Sequence, residues 1–355
     1  MTKLEKLRAA LPEEADGLLV TSEINIRYLT DFSYTDGFVF VTRDKAYAYT
    51  DFRYIEAANA KVNRDYEVRM FERGRSGTIE KVIDECGCSS VAFEAGTMSY
   101  ADAEDYKAKV PSVRWIPARG LIETLREVKD EKEIAAMERA QRIAEKAFDQ
   151  ILGFISPDRT EREIALELEY YMRKYGSEGV SFDTIAVSGT ASALPHGVPR
   201  DCKLERGFLT MDFGAVCDSG YRSDMTRTVC IGKPDEEQKK VYDTVLRAQL
   251  AALEGVRGGM KGVEVDKIAR DIITEAGYGK CFGHSLGHSV GLEIHEAPNF
   301  SPNAGERIVV PGNVITFEPG IYLEGRYGVR IEDMGVITED GVRNLTNCPK
   351  ELIIL

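Results

Sequence analysis

The sequence predicts an α+β protein of two domains, and three observations support this prediction. The chain has 355 residues, 43% hydrophobic and 30% charged, which is typical of a globular protein long enough for about two domains. Short β-rich runs alternate with helical ones in its first third. Beyond about Ile122, longer helical patterns are separated by strand runs and Gly/Pro turns. We therefore place the domains at 1–122 and 123–355.

The first domain is predicted as a small α/β unit. Its strand-like runs are GLLVTS, DGFVFVTRDKAYAYTD and SSVAFEA, with a polar helix-like stretch before the last of them. Apolar and β-branched residues bounded by turn residues are typical of strands. Alternation of such runs with helical segments favours an α/β arrangement.

The second domain is predicted to begin with a long charged helix over 125–152, LREVKDEKEIAAMERAQRIAEKAFDQIL. Its apolar residues at helical spacing are Ile134, Met137, Ala140, Ile143 and Phe148. Further helices are predicted at roughly 160–175, 235–256 and 263–276. Strand runs between them make this domain α+β.

Composition excludes several classes of function. The formal net charge of -13 is opposite to the basic surface that nucleic acid requires. No apolar run approaches the roughly 20 residues of a membrane span, and the charged N-terminal sequence lacks the apolar core of a signal peptide. Seven cysteines without a C-x-x-C pair indicate reduced thiols. We therefore expect a cytoplasmic protein that binds neither nucleic acid nor membrane.

Histidine is the most informative residue type, because the chain has four: His196, His284, His288 and His295. Three of them lie in one glycine-rich segment, CFGHSLGHSVGLEIHEAPN. His284 and His288 have the spacing of a zincin helix, but Ser285 stands where that motif needs glutamate. Each glycine of the segment would also cost a helix about 1 kcal/mol relative to alanine. The segment is therefore predicted as loop and strand.

Carboxylates interrupt three strand-like runs where a half-buried strand normally carries neutral residues. Asp212 lies in FLTMDFGA, Glu318 in VITFEPG and Glu332 in VRIED. A buried charge is costly unless it is paired or bound to a metal. For any one of them, an ion pair or an exposed sheet face is the alternative. Asp224 alone would be interpreted as a solvated turn residue beside Arg222.

The carboxylates and one histidine together form a set with the chemistry of a metal site. Its members are Asp212, Asp224, His288, Glu318 and Glu332. Four oxygen donors and one imidazole suit divalent Mn, Fe, Co or Zn. Two divalent ions would balance four carboxylates. A single Mg²⁺ or Ca²⁺ ion remains an alternative, although the imidazole argues against either as the preferred ion.

The ordered motifs MDFGA, SDMTRT, GHSLGHSVGLEIHE, TFEPG and GVRIED resemble those of the pita-bread metallopeptidases. That family includes aminopeptidase P, prolidase and methionine aminopeptidase. LPHGVP around His196 looks like its substrate-side histidine motif. NIRYLTDF and TDFRYIEAA resemble the creatinase-like N-terminal domain of aminopeptidase P and prolidase, a domain that methionine aminopeptidases commonly lack. The resemblance implies a creatinase-like domain followed by a pita-bread domain with a curved antiparallel sheet.

The resemblance also implies a role for each site residue. Asp212 would bind one metal ion, His288 and Glu318 the other, and Asp224 and Glu332 both. His284 and His295 would face the substrate with His196 nearby, Arg330 would orient Glu332, and Glu318 would transfer protons. One departure is that Asp212 and Asp224 lie twelve positions apart, one more than is usual in the family. The turn chemistry of Asp-Ser-Gly at 218–220 is expected to absorb the extra residue.

The activity implied is that of a dinuclear Xaa-Pro aminopeptidase, with Mn²⁺ the first choice of metal and Co²⁺, Zn²⁺ or Fe²⁺ the others. The alternative is an Xaa-Pro dipeptidase (prolidase), which requires a cation for the proline carboxylate that the sequence does not identify. An inactive peptide-binding module is a further alternative, against which the five intact ligands count. Proline-containing peptides would be the substrates, and relatives suggest a homodimer.

Overall fold

The computed structural model describes residues 1–72 and 74–355. These residues divide into two units, Met1–Arg126 and Glu127–Leu355. The helix Leu121–Glu127 contains both this division and the boundary predicted near Ile122. None of the helices in the described ranges is long and apolar enough to cross a membrane.

The first unit is built on a six-stranded sheet with the strand order β4-β3-β2-β1-β5-β6. The strands are β1 (Gly17–Val20), β2 (Gly37–Thr42), β3 (Ala46–Thr50), β4 (Glu67–Met70), β5 (Ser90–Glu94) and β6 (Arg114–Ala118). The helices are α1 (Lys3–Ala10), α2 (Glu23–Thr30), α3 (Ile55–Lys61), α4 (Gly74–Cys86), α5 (Tyr100–Lys109) and α6 (Leu121–Glu127). The strand-like runs of the sequence correspond to β1, to the β2-β3 hairpin and to β5, as predicted.

The central strands of this sheet are buried on both faces. Every residue of β1 and β2 is buried, and both strands are nearly continuous apolar runs. Such runs are expected where helices cover both sides of a mixed sheet. On one side, Ile79 and Val82 of α4 pack in the same core as Phe38 and Phe40 of β2.

The long helix predicted over 125–152 is wrong in one respect, because the chain forms two helices there. Helix α6 ends at Glu127, and α7 begins at Glu131. Asp130 caps α7: its side chain accepts hydrogen bonds from the backbone N–H groups of Lys132 and Glu133, and Glu133 reaches back to the N–H of Asp130. This capping box satisfies orphan donors and starts a new helix. The predicted apolar face of α7 is confirmed by four buried residues, Ile134, Met137, Ala140 and Phe148.

The second unit contains the remaining helices and strands. Its helices are α7 (Glu131–Ile151), α8 (Glu161–Lys174), α9 (Glu236–Gly255) and α10 (Gly262–Glu275), with 3₁₀ turns at Gly189–Ala193 and Gly279–Cys281. Its strands are β7 (Gly179–Val180), β8 (Ile185–Ser188), β9 (Gly207–Phe213), β10 (Ala215–Val216), β11 (Met225–Ile231), β12 (Gly287–Ser289), β13 (Glu296–Phe300), β14 (Val314–Phe317), β15 (Gly320–Leu323), β16 (Tyr327–Arg330), β17 (Asp333–Ile337) and β18 (Val342–Asn344). The three further predicted helices are confirmed as α8, α9 and α10.

Strand pairing in the second unit is antiparallel in each of its sheets, as predicted. The strand orders are β10-β7, β11-β9-β8, β13-β12-β14-β17-β18 and β15-β16. Helices α9 and α10 cover this framework, and their Val245, Ala252 and Ala269 share a core with Ile315 and Phe317 of β14. The sheets thereby have one face against helices and leave the other available for polar side chains.

The extra residue between Asp212 and Asp224 does not disturb the pairing of their strands. Strands β9 and β11 form an unbroken ladder in which Thr226 lies opposite Asp212. The turn at 218–220 absorbs the insertion: Gly220 adopts φ 86, and its N–H donates to the Cys217 carbonyl at 2.8 Å. A positive φ of this kind favours glycine.

The segment VRIED, which was predicted as one strand, changes partner in its middle. Arg330 ends β16, which pairs with β15, whereas Asp333 begins β17, which pairs with β14. Glu332 therefore lies in a break between two strands. Glu332 belongs to neither strand ladder, and it lines the same cavity as Asp212 and Asp224.

Candidate metal centre and active site

All nine residues predicted as metal ligands or catalytic groups line one cavity of about 790 Å³ in the second unit. They are His196, Asp212, Asp224, His284, His288, His295, Glu318, Arg330 and Glu332. The residues lie on strands or at strand ends that are distant in sequence. The fold therefore brings together the whole predicted set, while the individual roles stay predictions.

Asp212 is placed by β9, whose alternate residues Leu209, Met211 and Phe213 belong to a buried apolar core. The alternation of a strand then sends Asp212 to the opposite face. Its Oδ2 accepts a hydrogen bond from Arg330 Nη2 at 2.5 Å. Its Oδ1 is buried and has no hydrogen-bond partner among the described residues.

Asp224 lies next to Asp212 because it immediately precedes β11, whose Met225 pairs with Phe213. The two chain segments approach so closely that a Cβ on Gly214 would lie 1.9 Å from the Ser223 carbonyl oxygen. Only glycine permits this approach. Burial, and then the charges of Asp212 and Glu318, raise the pKa of Asp224 well above its usual range.

His288 presents one ring nitrogen to the carboxylates. Its Nδ1 lies 3.1 Å from the Ser289 carbonyl oxygen and must donate to it. Nε2 is then the unprotonated nitrogen, and it faces Asp224 Oδ2 at 3.6 Å and Glu318 Oε1 at 3.4 Å. Burial lowers the pKa of His288 to about 4, which keeps the ring neutral. A neutral imidazole with a free Nε2 is the form that binds metals.

Glu318 and Glu332 are each held by a threonine hydroxyl. Thr316 Oγ1 donates to Glu318 Oε1 at 3.2 Å, and Thr226 Oγ1 donates to Glu332 Oε2 at 2.7 Å. Burial raises the pKa of Glu318 to about 8. The pKa of Glu332 is also raised, first by burial and then by the charge of Asp224. The site thus holds several carboxyl groups close together and away from water, which makes their charged forms costly unless a cation balances them.

His284 is bound on both sides by protein groups. Its Nδ1 donates to the Ser285 carbonyl oxygen at 2.8 Å, so its Nε2 accepts from the Tyr322 hydroxyl, also at 2.8 Å. The Tyr322 oxygen in turn accepts from Arg330 Nη1 at 2.8 Å. Burial and the nearby Arg330 lower the pKa of His284 to about 4. A direct contact of His284 with substrate stays a prediction.

The two other histidines occupy different environments. The His295 ring packs edge-on against His288, with ring centroids 4.4 Å apart, and burial lowers its pKa. His196 is exposed and lines the cavity, in the segment that connects β8 to β9. His196 and His295 are therefore the histidines that leave a ring edge available to a bound molecule.

Comparison with known families agrees with this geometry. A model described as "Metallopeptidase family M24" matches residues 135–339. The chain belongs to this family. A second model, "Creatinase/Prolidase N-terminal domain", matches residues 3–128 of the M24 chain. The predictions of the family, of the two-domain fold and of metallopeptidase activity are confirmed.

Relatives of this M24 chain match it over nearly its full length. The Xaa-Pro dipeptidase of Pyrococcus furiosus is 39% identical over 354 residues, covering 99% of both chains. A solved structure of an Xaa-Pro dipeptidase from Bacillus anthracis is 43% identical, with a TM-score of 0.95 and 99% coverage of both chains. A solved X-Pro aminopeptidase from Thermotoga maritima is 37% identical, with a TM-score of 0.92 and coverage of 96% and 98%.

Membership of the M24 family implies divalent metal ions, and the residues present fit them. Ligand atoms of Asp224, His288 and Glu332 all lie within 4.8 Å of one another. Acceptors face acceptors here, since the Nε2 lone pair of His288 faces two carboxylates and Asp212 Oδ1 has no donor within the described residues. Such an arrangement suits a bound cation, which would relieve the repulsion between the buried carboxylates.

Several residues that shape the site of this M24 chain are not predicted by the sequence patterns. Tyr322 links His284 to Arg330, and Thr226 joins Arg330 Nε to Glu332. Thr226 lies opposite Asp212 in the β9-β11 ladder, so a correct strand register would have suggested it. A tyrosine in a short strand carries no comparable signal.

Arg227 forms a buried network behind the metal site. Its guanidinium donates to the Glu332 carbonyl oxygen at 2.6 Å and to Asp333 Oδ1 at 2.8 Å. It also donates to the Pro349 and Cys348 carbonyl oxygens, each at 2.8 Å. Arg227 lies on β11. Its hydrogen bonds therefore connect this strand to the segment around Glu332, where β16 ends and β17 begins, and to the C-terminal segment.

We expect Arg227→Met to lower the free energy of unfolding by about 3–5 kcal/mol, because it leaves Asp333 with less compensating charge in the interior. Denaturant unfolding of the purified protein measures this loss. Arg139→Met is the matched control, since Arg139 is 55% exposed and 3.4 Å from an exposed Asp218; its effect should stay within about 0.5 kcal/mol. Equal effects of the two substitutions would contradict the prediction.

Proposed function

We propose that this M24 chain is an Xaa-Pro dipeptidase, which hydrolyses the bond that precedes proline in a dipeptide. The observation that carries the proposal is its similarity, over 99% of the chain, to proteins named Xaa-Pro dipeptidase. The sequence motifs imply an aminopeptidase first and a dipeptidase as the alternative. The relatives favour the dipeptidase, and the shared cavity of all nine site residues agrees with either activity.

The proposed cofactor is a pair of divalent ions, with Mn²⁺ the first choice. Asp212 would hold one ion, His288 and Glu318 the other, and Asp224 and Glu332 both. Bound divalent ions lower the pKa of water and stabilise the negative charge that develops on a substrate carbonyl. The balance of four carboxylates against two doubly charged ions supports the count.

The remaining residues would position groups and move protons. Glu318, buried and held by Thr316, would take a proton from the attacking water and deliver it to the leaving proline nitrogen. Arg330 orients Asp212 directly and reaches Glu332 through Thr226. This refines the predicted role of Arg330, whose direct ion pair is with Asp212. The available ring edges of His196 and His295 would donate to the substrate.

An Xaa-Pro aminopeptidase is the second candidate. It is favoured by the solved X-Pro aminopeptidase from Thermotoga maritima, whose TM-score of 0.92 is close to the 0.95 of the dipeptidase. The two activities use the same chemistry and differ in the length of chain accepted beyond proline. Substrate length therefore separates them.

We expect Ala-Pro to be hydrolysed with a kcat/KM at least about tenfold above that of Ala-Pro-Ala and that of Ala-Ala. A tenfold ratio corresponds to about 1.4 kcal/mol of differential transition-state stabilisation. Product release from the three peptides, measured with Mn²⁺ present, checks this. Preference for Ala-Pro-Ala would assign the chain as an aminopeptidase, and preference for Ala-Ala would contradict proline specificity altogether.

A further inference from the structure

A buried carboxylate outside the metal site, Glu161, binds two distant points of the chain. Glu161 is the first residue of α8, and its side chain is fully buried. It accepts hydrogen bonds from Ser188 N at 2.7 Å and Ser188 Oγ at 2.9 Å. It also accepts from Arg200 N at 3.0 Å, Nε at 2.8 Å and Nη2 at 2.7 Å. Five donors on one carboxylate form a saturated, charge-assisted cluster.

Ser188 and Arg200 are the two ends of the segment that carries His196. Ser188 ends β8, which pairs with β9 so that Ile185 lies opposite Asp212. The start of the segment is thus anchored to the strand of a predicted metal ligand. Its end is held by the bonds from Arg200 to Glu161 and by the backbone bond from Arg162 N to the Arg200 carbonyl oxygen at 3.1 Å. The single carboxylate of Glu161 therefore forms hydrogen bonds with both end residues of the segment 188–200.

The interior of the segment is held against the active-site strands. Ser192 Oγ accepts from the backbone N–H of Gly328 in β16 at 2.9 Å. The Pro195 carbonyl oxygen accepts from Arg330 Nη1 at 3.1 Å. A Cβ on Gly197 would lie 2.9 Å from Val187 Cγ1, so the chain packs tightly on both sides of His196.

His196 itself contributes little to its own placement. Its side chain is exposed, and its imidazole makes no hydrogen bond or ion pair within residues 1–72 and 74–355. The position of the ring over the cavity therefore follows from the backbone of residues 188–200. An exposed group without partners of its own depends on the rigidity of the segment that carries it.

We propose that Glu161 is a positioning residue. It holds His196 in the lining of the cavity by forming hydrogen bonds with both end residues of the segment 188–200. This inference rests on the proposed function in that His196 is taken to contact the substrate. Glu161→Gln preserves the shape of the side chain but replaces one acceptor oxygen with an NH₂ group. That amide then faces donors, so part of the cluster loses its acceptor.

The first test compares the kinetics of Glu161→Gln, His196→Ala and the double variant on Ala-Pro with Mn²⁺. We expect Glu161→Gln to lower kcat/KM about tenfold, mainly by raising KM. In the His196→Ala background the same substitution should change kcat/KM less than about twofold, because Glu161 acts through His196. An undiminished effect in that background, or no effect in the wild-type background, would overturn the proposal. Glu163→Gln, on the same helix at a 43% exposed site, is the matched control and should behave like wild type, because glutamine can also accept the capping hydrogen bond from Thr160 N.

The second test does not depend on activity. We expect hydrogen exchange of amides in 194–200 to be about tenfold faster in the Glu161→Gln protein, with β9, β11 and the Glu163→Gln control unchanged. Unchanged exchange in 194–200 would overturn the proposal. If wild-type protein fails to cleave Ala-Pro, the proposed function fails, and this comparison alone decides whether Glu161 fixes the segment.

A milder variant covers the case in which Glu161→Gln does not fold. Arg200→Lys changes a side chain that is 42% exposed and keeps its backbone N–H bond to Glu161. Lysine loses the two-pronged contact of the guanidinium. We expect faster exchange in 194–200 and a raised KM, each by a smaller factor. Wild-type values of both would overturn the proposal.

Discussion

Removal of divalent metal is expected to reduce hydrolysis of Ala-Pro by at least about a thousandfold, and added Mn²⁺ should restore it. The loss corresponds to the several kcal/mol that metal ions contribute to such reactions. Among the described residues that line the cavity, Arg330 is the only one with a permanent positive charge, and it pairs with Asp212. The other carboxylates have no cationic side chain of their own in the cavity, so a bound cation is expected to balance them. Activity assays after dialysis against chelator, with metal content measured in the same samples, check this expectation.

A site variant separates loss of metal from loss of fold. We expect Asp224→Asn to abolish activity yet raise the Tm of the metal-free protein, because it removes one of several mutually repelling buried carboxylates. Asp218→Asn, at a 76% exposed position, is the control and should change neither quantity. Full activity in a demonstrably metal-free sample would contradict the metal requirement. A lower Tm for metal-free Asp224→Asn would contradict the electrostatic argument.

The second large effect is expected for Glu318→Gln, which should lower kcat by about 10²–10⁴. The substitution keeps an oxygen that can accept from Thr316 and bind metal, but it removes the group that transfers a proton. Glu318 is placed for this role by its position in the cavity, where its Oε1 lies 3.4 Å from His288 Nε2 and is held by the Thr316 hydroxyl. Steady-state kinetics on Ala-Pro with saturating Mn²⁺ measure the change.

Metal content and Tm of the Glu318→Gln protein decide how the loss is interpreted. We expect both to remain near their wild-type values while turnover falls. Glu324→Gln, at an exposed position between β15 and β16, is the matched control and should retain full activity. A variant that keeps wild-type turnover would refute the proton-transfer role. A variant inactive only because its metal is gone would assign Glu318 to metal binding alone.

Local patterns in the sequence were sufficient for most of the elements that carry the site. Apolar residues at helical spacing identified the buried face of α7, and alternation in FLTMDFGA sent Asp212 away from the core. The chemistry of divalent metals restricts the side chains that bind them and led to the five predicted ligands, whereas the resemblance to the family supplied the other four cavity residues, His196, His284, His295 and Arg330. The start of α7 after Asp130 is also encoded locally, because the capping box of Asp130 and Glu133 is a sequence signal for the beginning of a helix.

Contacts between distant residues were decided only by the tertiary structure. Glu161 binds Ser188 and Arg200, and Arg227 binds Asp333, across long stretches of chain, and no local pattern records such pairings. The same is true of the Tyr322 hydroxyl between His284 and Arg330.

The sequence by itself determined which residue types can bind metal and where the strands near Asp212 and Glu318 lie, since both follow from side-chain chemistry and short-range periodicity. Only the tertiary structure decided which buried polar groups satisfy one another. That choice depends on strand register and on close backbone approaches such as Gly214 to Ser223, which arise when the whole core packs.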